Sequence, residues 1–446
     1  MNLKIRSCAS MVSKTRLYYT ALIAAVFAVT ALICSTVTVR AAAPTEIIFW
    51  HAMGRSRGKV LNELVDKFNQ KNPDVVVKAQ YIQSANQQYG NDYNALYAKI
   101  LESIAKNSPP DVAQVYENWT TQYVGIDALV PVEDVMPAED KNSNQDLVPI
   151  FLESNKFKSP TGESKLYTLP FNKSIYVLYY NKKLFNQLKI APPNNWNELR
   201  AAAKTIYAKT GLPGLAFQPS VDIFGHYLYS YGGEFIKDNK AAFGNKLGVD
   251  DLNYWNNLVH NDMSAKPTFD AAKEFSSGKA GMYIETTSKI GGFTKSKAEG
   301  LDFGVMPIPK GTVRSCQFAG TNLAIFKSSS PEKQKAAYKF IKFMCSPDIT
   351  TELAIKTGYL PVRQSAIKSA AYQAYLKQYP EYRVGVDSLK IAQVQPRVPV
   401  WESIRSILDD AMFKSLGRKY DPETAIQEAV DTSDKLLYYS VGVGME

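Results

Sequence analysis

The sequence predicts an α/β protein folded as two compact lobes, and three observations carry that prediction. At 446 residues the chain is too long for a single hydrophobic core. Its first folded stretch runs strand, helix, strand, the pattern that builds a parallel sheet. No internal repeat or low-complexity linker divides the remainder, and two compact lobes fit, with the chain crossing between them more than once.

In order, Glu46–Trp50 reads as a short strand ending in His51-Ala52-Met53-Gly54. Gly58–Asn72 carries Leu61, Leu64, Val65 and Phe68 at helical spacing and stops at Asn72-Pro73-Asp74. Val75–Ile82 returns as a strand, and Gln83–Asp92 is polar. Tyr93, Leu96, Tyr97, Ile100, Leu101 and Ile104 stripe a second helix, which Pro109-Pro110 breaks before the strand Asp111–Tyr116. Pro170-Phe171-Asn172-Lys173-Ser174 has turn composition and places Ser174 at the mouth of the buried strand Ile175–Tyr180. Asn195 is an N-cap with Glu198 three residues on. Leu215–Phe217, Phe303–Ile308 and Gln317–Phe326 are further strands, and helix follows around Tyr227–Tyr231. Ser330-Pro331 starts a helix bearing Ala337, Phe340, Ile341 and Met344, and Asp421-Pro422 starts the last one.

Composition narrows the function. The net charge of +10 falls to +5 once the five cations Lys4, Arg6, Lys14, Arg16 and Arg40 are set aside, because residues 1–41 hold no acid. Those residues read as a signal peptide: a basic start, the apolar Tyr18–Val37, and Val39-Arg40-Ala41 as cleavage site. An uncleaved anchor is the other reading of so long an apolar run. The rest is mildly basic with no dense Lys/Arg block, which argues against nucleic acid and suits an anionic ligand. Only Cys316 and Cys345 remain beyond the signal, and an oxidising compartment permits a bridge between them. His51, His226 and His260 lack metal-ligand spacing, and no nucleophile elbow, zinc motif or phosphate loop occurs. No catalytic residue, metal or cofactor is expected.

The candidate residues are polar groups where strands and helices end. Glu117 follows a buried strand, where a carboxylate accepts two hydroxyls of a polyol or else faces solvent. Tyr93 opens its stripe and serves ligand or core equally. Arg405 lies on the apolar face drawn by Trp401, Ile404, Leu408 and Met412, so it must meet a ligand, pair with Asp409 or snorkel.

The motifs PFN…S…VLYYNKKLF at 170–185, FWHAM, QVYE, FSSGKAGM at 275–282 and TGYLP at 357–361 resemble the extracellular solute-binding proteins of ABC importers. The resemblance is strongest to the sn-glycerol-3-phosphate binders and runs from Glu46 to the last helix. It implies a two-lobe periplasmic-binding-protein fold of type II, maltose-binding-protein-like, with a ligand cleft between the lobes. One lobe is 44–157 with 304–349 and the other 158–303 with 350–446. It further implies a monomer in the periplasm, handing a small molecule to a membrane permease and its ATPase. Gln83–Asp92 resembles an insertion that leaves the register of Tyr93 and Glu117 intact.

Residue by residue, Tyr93 and Glu117 fall on the family's glycerol-hydroxyl ligands, and Arg405 on its phosphate-binding arginine. Ser174 matches the turn serine, and Thr286 (with Thr287 as register neighbour) stands where the family has serine, in a polar cluster opening a helix. Gly320 matches one glycine of a family pair whose other is Ala319, and would admit a backbone amide to phosphate. Tyr359 would donate its hydroxyl. One departure is plain: Gln218–Asp222 supplies none of the tryptophans found there in the glycerol-3-phosphate binder, which leaves room beyond the phosphate. The expected ligand is sn-glycerol 3-phosphate, a glycerophosphodiester such as glycerophosphocholine, or both. A sugar or glucosylglycerol receptor of the same fold is the first alternative, and an exported phosphodiesterase the second.

Overall fold

The computed structural model describes residues 43–85, 92–297 and 300–442, so the expected signal peptide and most of the polar insertion lie outside it. The β-α-β start is present as strand β1 (Thr45–His51), helix α1 (Arg55–Lys71) and strand β2 (Val75–Tyr81). β1 and β2 run parallel in unbroken register from Thr45↔Val75 to His51↔Tyr81. The helix buries the expected face, with Leu61, Leu64 and Phe68 fully enclosed. Helix α2 (Asp92–Ala105) and strand β3 (Val112–Val115) follow, and β3 runs parallel to β1. Glu117 then opens helix α3 (Glu117–Gly125).

The central strand β4 spans Thr168–Asn181 and is the largest departure from expectation. Residues 170–174 are not a turn, and Ser174 sits within the strand, almost fully buried. Pro170 is tolerated because the pairing with β9 (Cys316–Phe326) shifts register between Gly320 and Asn322, just where Pro170 brings no N–H. Helix α4 (Trp196–Thr210) is capped as expected: Asn195 accepts from the Glu198 amide, and Glu198 accepts from the Asn194 amide at 2.7 Å. Strand β5 (Leu215–Phe217), helix α5 (Val221–Ser230), strand β6 (Ala265–Pro267), strand β7 (Met282–Thr286), helix α6 (Ile290–Ser296) and strand β8 (Phe303–Pro307) lead back to β9. Helix α7 (Pro331–Met344) starts on Ser330, whose hydroxyl accepts from the Lys333 amide; α8 (Trp401–Leu416) and α9 (Pro422–Gly442) close the chain.

One sheet of eleven strands holds these together, in the main order β6-β5-β7-β4-β9-β3-β1-β2. Its flanks are parallel groups, β2-β1-β3 and β6-β5-β7, and the two antiparallel strands β4 and β9 join them. The first part of β4, Thr168–Ile175, pairs with β9, while Tyr176–Asn181 pairs with β7 and β8. Asn172–Ile175 therefore lies where one group gives way to the other. Cys316 and Cys345 are free, and burial pushes both thiols up to about 12, so the permitted bridge is not formed. No described helix is long and apolar enough to cross a membrane.

Candidate functional site

The middle of β4 gathers most of the expected residues. Asn172 donates to the Tyr93 hydroxyl at 3.3 Å and accepts from the Thr321 amide at 3.2 Å. The Lys173 carbonyl accepts from the Leu360 amide at 2.7 Å, which brings Tyr359 alongside. Ser174 faces Ala319 in the register, next to Gly320, and the Ile175 amide donates to the Thr287 hydroxyl at 3.4 Å. Tyr93, Ser174, Thr287, Gly320 and Tyr359 thus converge on four consecutive residues.

Several of them are also engaged by neighbours within the protein. Gly320 has φ +110°, and a Cβ there would meet the Asn172 carbonyl oxygen at 2.0 Å. That close approach of β4 by itself requires a glycine here. The Thr286 hydroxyl is engaged with Ser288 at 2.8 Å, while its carbonyl accepts from Tyr179 at 2.6 Å. Tyr359 is buried beneath the Arg57 guanidinium, which stands 5.0 Å from its ring. Burial, reinforced by Tyr359 and Tyr116, holds the Tyr93 hydroxyl far above the ordinary tyrosine range, so it stays protonated.

Glu117 is not an unengaged acceptor. Its Oε1 takes the Lys173 ammonium at 2.5 Å and the Ser154 hydroxyl at 3.5 Å. Among the described residues only Oε2 is left for a ligand. Lys173 is wholly enclosed, between the rings of Phe151 and Phe318 at 5.9 and 5.2 Å. Burial pulls its pKa down, with Glu117 opposing.

Arg405 holds to the apolar face of α8, where Trp401, Ile404, Leu408 and Met412 are fully buried. Of the alternatives to a ligand role, neither an ion pair with Asp409 nor a stem reaching out to solvent is found. The guanidinium forks onto Asp222, Nη1 to Oδ1 and Nη2 to Oδ2, both at 3.0 Å. Gln395 adds a contact to Nη1 at 2.9 Å. Burial raises the Asp222 carboxyl, but Arg405 more than offsets it and the net shift is down. Asp409 accepts instead from the Val221 amide at 2.6 Å, and burial pushes its carboxyl up to about 6. Glu402 also acts on Arg405, and receives the Asn118 amide at 2.6 Å. Tyr116 packs 5.3 Å from Tyr93 and feels Tyr359, Arg405, Glu402 and Asp222, so it links the two poles.

The residues that sequence reasoning passed over are therefore Tyr116, Lys173, Asp222, Gln395 and Glu402. Lys173 gives no signal while residues 170–174 read as a turn; once they are strand, a buried charge demands a partner. Asp222 lay in the segment noted only for lacking tryptophan. Phe217 and Phe224 give no replacement wall, for they pack inward on Trp255 and Phe235 at 4.9 and 6.1 Å.

A two-group sheet bridged by shared strands, with polar side chains converging on the bridge, defines a binding protein of the periplasmic type. The chain belongs to the bacterial extracellular solute-binding protein family, whose profile matches residues 63–380. It is 25% identical over 426 residues to the sn-glycerol-3-phosphate-binding periplasmic protein UgpB of Yersinia pestis, covering 90% of this chain and 94% of that one. A putative binding protein of Brucella abortus is 25% identical over 395 residues, covering 85% and 90%. Among solved structures, UgpB of Mycobacterium tuberculosis in complex with glycerophosphocholine superposes with a TM-score of 0.78 at 23% identity, covering 90% and 99%. The GacH receptor of Streptomyces glaucescens, solved unliganded and with acarbose, gives 0.77 at 22% identity, covering 89% and 99%. Maltose-bound MalE3 of T. maritima gives 0.75 at 23%, covering 88% and 100%. The protein is a solute-binding component of an ABC importer, of a family that binds rather than transforms its ligand.

Proposed function

We propose that this receptor captures glycerophosphodiesters, glycerophosphocholine foremost, and holds sn-glycerol 3-phosphate less well. The observation that carries the reading is the Arg405–Asp222 fork at 3.0 Å. A dianionic monoester meets a guanidinium whose charge is already matched, with Glu402 and Asp409 close by. A zwitterionic diester suits the same surroundings better. Its single phosphate charge approaches Arg405, and its quaternary ammonium lies towards Glu402 and the Tyr116, Tyr176 and Tyr229 rings near Asp222, away from Asp409. The glycerol hydroxyls then reach Tyr93 and the remaining oxygen of Glu117, with Ser174, Thr286, Gly320 and Tyr359 lining the path between.

In this reading the lobes are 44–157 with 304–349 and 158–303 with 350–446, closing on ligand as a periplasmic monomer that docks on its permease. The glycerophosphocholine complex of the M. tuberculosis relative supports the choice. A sugar receptor is the second reading, favoured by the same fork, because a paired Arg and Asp also serve vicinal hydroxyls. The acarbose and maltose complexes of structural neighbours lend it weight. Calorimetry against glycerophosphocholine, sn-glycerol 3-phosphate and maltose decides between them. Glycerophosphocholine is expected to bind tightest and to be recovered intact. Preference for maltose moves the protein to the sugar receptors, and released choline moves it to the phosphodiesterases.

A further inference from the structure

A cavity of about 960 Å³ opens beside Tyr359, lined by Gly54–Arg57, by Ser288–Ser296 around α6, and by Ile355–Gly358. Its charged lining is one-sided. Arg55, Arg57, Lys273, Lys289, Lys295 and Lys356 line it, and among the described residues no Asp or Glu does. Lys356 is already held by Glu63 and Glu352 at 2.8 and 2.9 Å. Among the described residues the other five make no ion pair, in a molecule where Lys and Arg otherwise find carboxylates repeatedly. Arg57 is anchored through the Ser288 carbonyl at 2.9 Å and over the Tyr359 ring, so its position is fixed without its charge being cancelled.

Like charges gathered around one concavity repel each other and cost stability unless an anion is present to relieve them. The hydroxyls of Ser56 and Tyr382 stand among them as further donors for an oxyanion, while those of Ser276 and Thr294 donate to the Lys273 and Ile290 carbonyls.

We propose that this cavity is a second binding site, for small polyanions of three or more charges, separate from the Arg405–Asp222 pole. A single charge would leave most of the five cations unrelieved, whereas a condensed phosphate reaches across several. The inference stands apart from the glycerophosphodiester reading, since it requires tripolyphosphate to bind whether or not glycerophosphocholine does.

The test is calorimetry of the whole protein with tripolyphosphate, with acetate as the single-charge control. Tripolyphosphate is expected to bind, more weakly as salt rises. The K289A/K295A double variant should lose about tenfold or more in affinity, with glycerophosphocholine binding and the melting temperature unchanged. Because removing Lys289 from its half-buried turn risks the fold, Lys273→Ala and Arg55→Ala, both on exposed residues, provide a second series, each expected to weaken tripolyphosphate. No binding to the wild type overturns the proposal. So does affinity unchanged across both series, or acetate binding as tightly as tripolyphosphate.

Discussion

The Glu117–Lys173 and Arg405–Asp222 pairs join the same kinds of charge in opposite settings. Lys173 is wholly enclosed, meets a single carboxylate oxygen and is walled by phenylalanine rings. Arg405 makes two parallel contacts, and its side chain and that of Asp222 keep 22% and 15% of their exposure. Lys173 is sealed into the junction of the sheet, while the Glu117 side chain beside it keeps 11% of its exposure. The second pair is reachable from solvent and presents an adjacent positive and negative charge to whatever enters.

Breaking the sealed pair gives the largest effect. Lys173→Met leaves Glu117 buried without its partner, and should cost roughly 3–5 kcal/mol of stability, read as a lowered denaturation midpoint in urea. A loss under about 1 kcal/mol would put the pair with ordinary surface bridges and remove the contrast.

Opening the accessible pair comes next. Arg405→Ala should weaken glycerophosphocholine by roughly 2–3 kcal/mol, about 30- to 150-fold, the scale of a lost charge-assisted contact. Calorimetry measures it, with circular dichroism to confirm that the fold survives. An unchanged dissociation constant retires Arg405 as a ligand.

Asp222→Asn sharpens the comparison by removing one charge and keeping the shape. The freed guanidinium should favour the dianionic monoester, raising sn-glycerol 3-phosphate relative to glycerophosphocholine by about tenfold, or roughly 1.4 kcal/mol. If the ratio of the two dissociation constants does not move, the carboxylate plays no part in selectivity.

The smallest effect comes from pH. Asp409 titrates near 6 because burial raises it above the value of an unfolded chain. Below that pH it is neutral, and Arg405 loses one of the carboxylates that compete for it. Above it the carboxylate returns. Glycerophosphocholine, whose phosphodiester keeps its charge throughout, should therefore bind a few-fold more tightly at pH 5 than at pH 7.5, and Asp409→Asn should flatten the dependence. Tighter binding at the higher pH would reverse the sign and remove Asp409 from the account.

Much of the architecture was legible because its signals are local. Leu215–Phe217 was bounded correctly by apolar composition alone, and the Asn195 and Ser330 caps by one side chain each. Residues 170–174 were misread because Pro and Asn signal a turn, while the register shift that absorbs them lies in a strand some 150 residues later. The site divides the same way. Resemblance proposes seven positions, but neither Lys173 behind Glu117 nor Asp222 across from Arg405 follows from spacing, since the partners are 56 and 183 residues apart. The cation-lined cavity draws on five separate segments and was invisible in the chain order.

The shared strand β9 has a consequence for when the protein folds. β3 and β4, though nearer each other in sequence, do not pair directly; Cys316–Phe326 lies between them. The N-terminal group cannot close its sheet until that strand exists, some 200 residues after β3. Contacts of such long range make folding slow, because the loop must be closed before any pairing repays it. A nascent segment that lacks its closing strand stays open, and the sheet locks only after residue 326 has arrived.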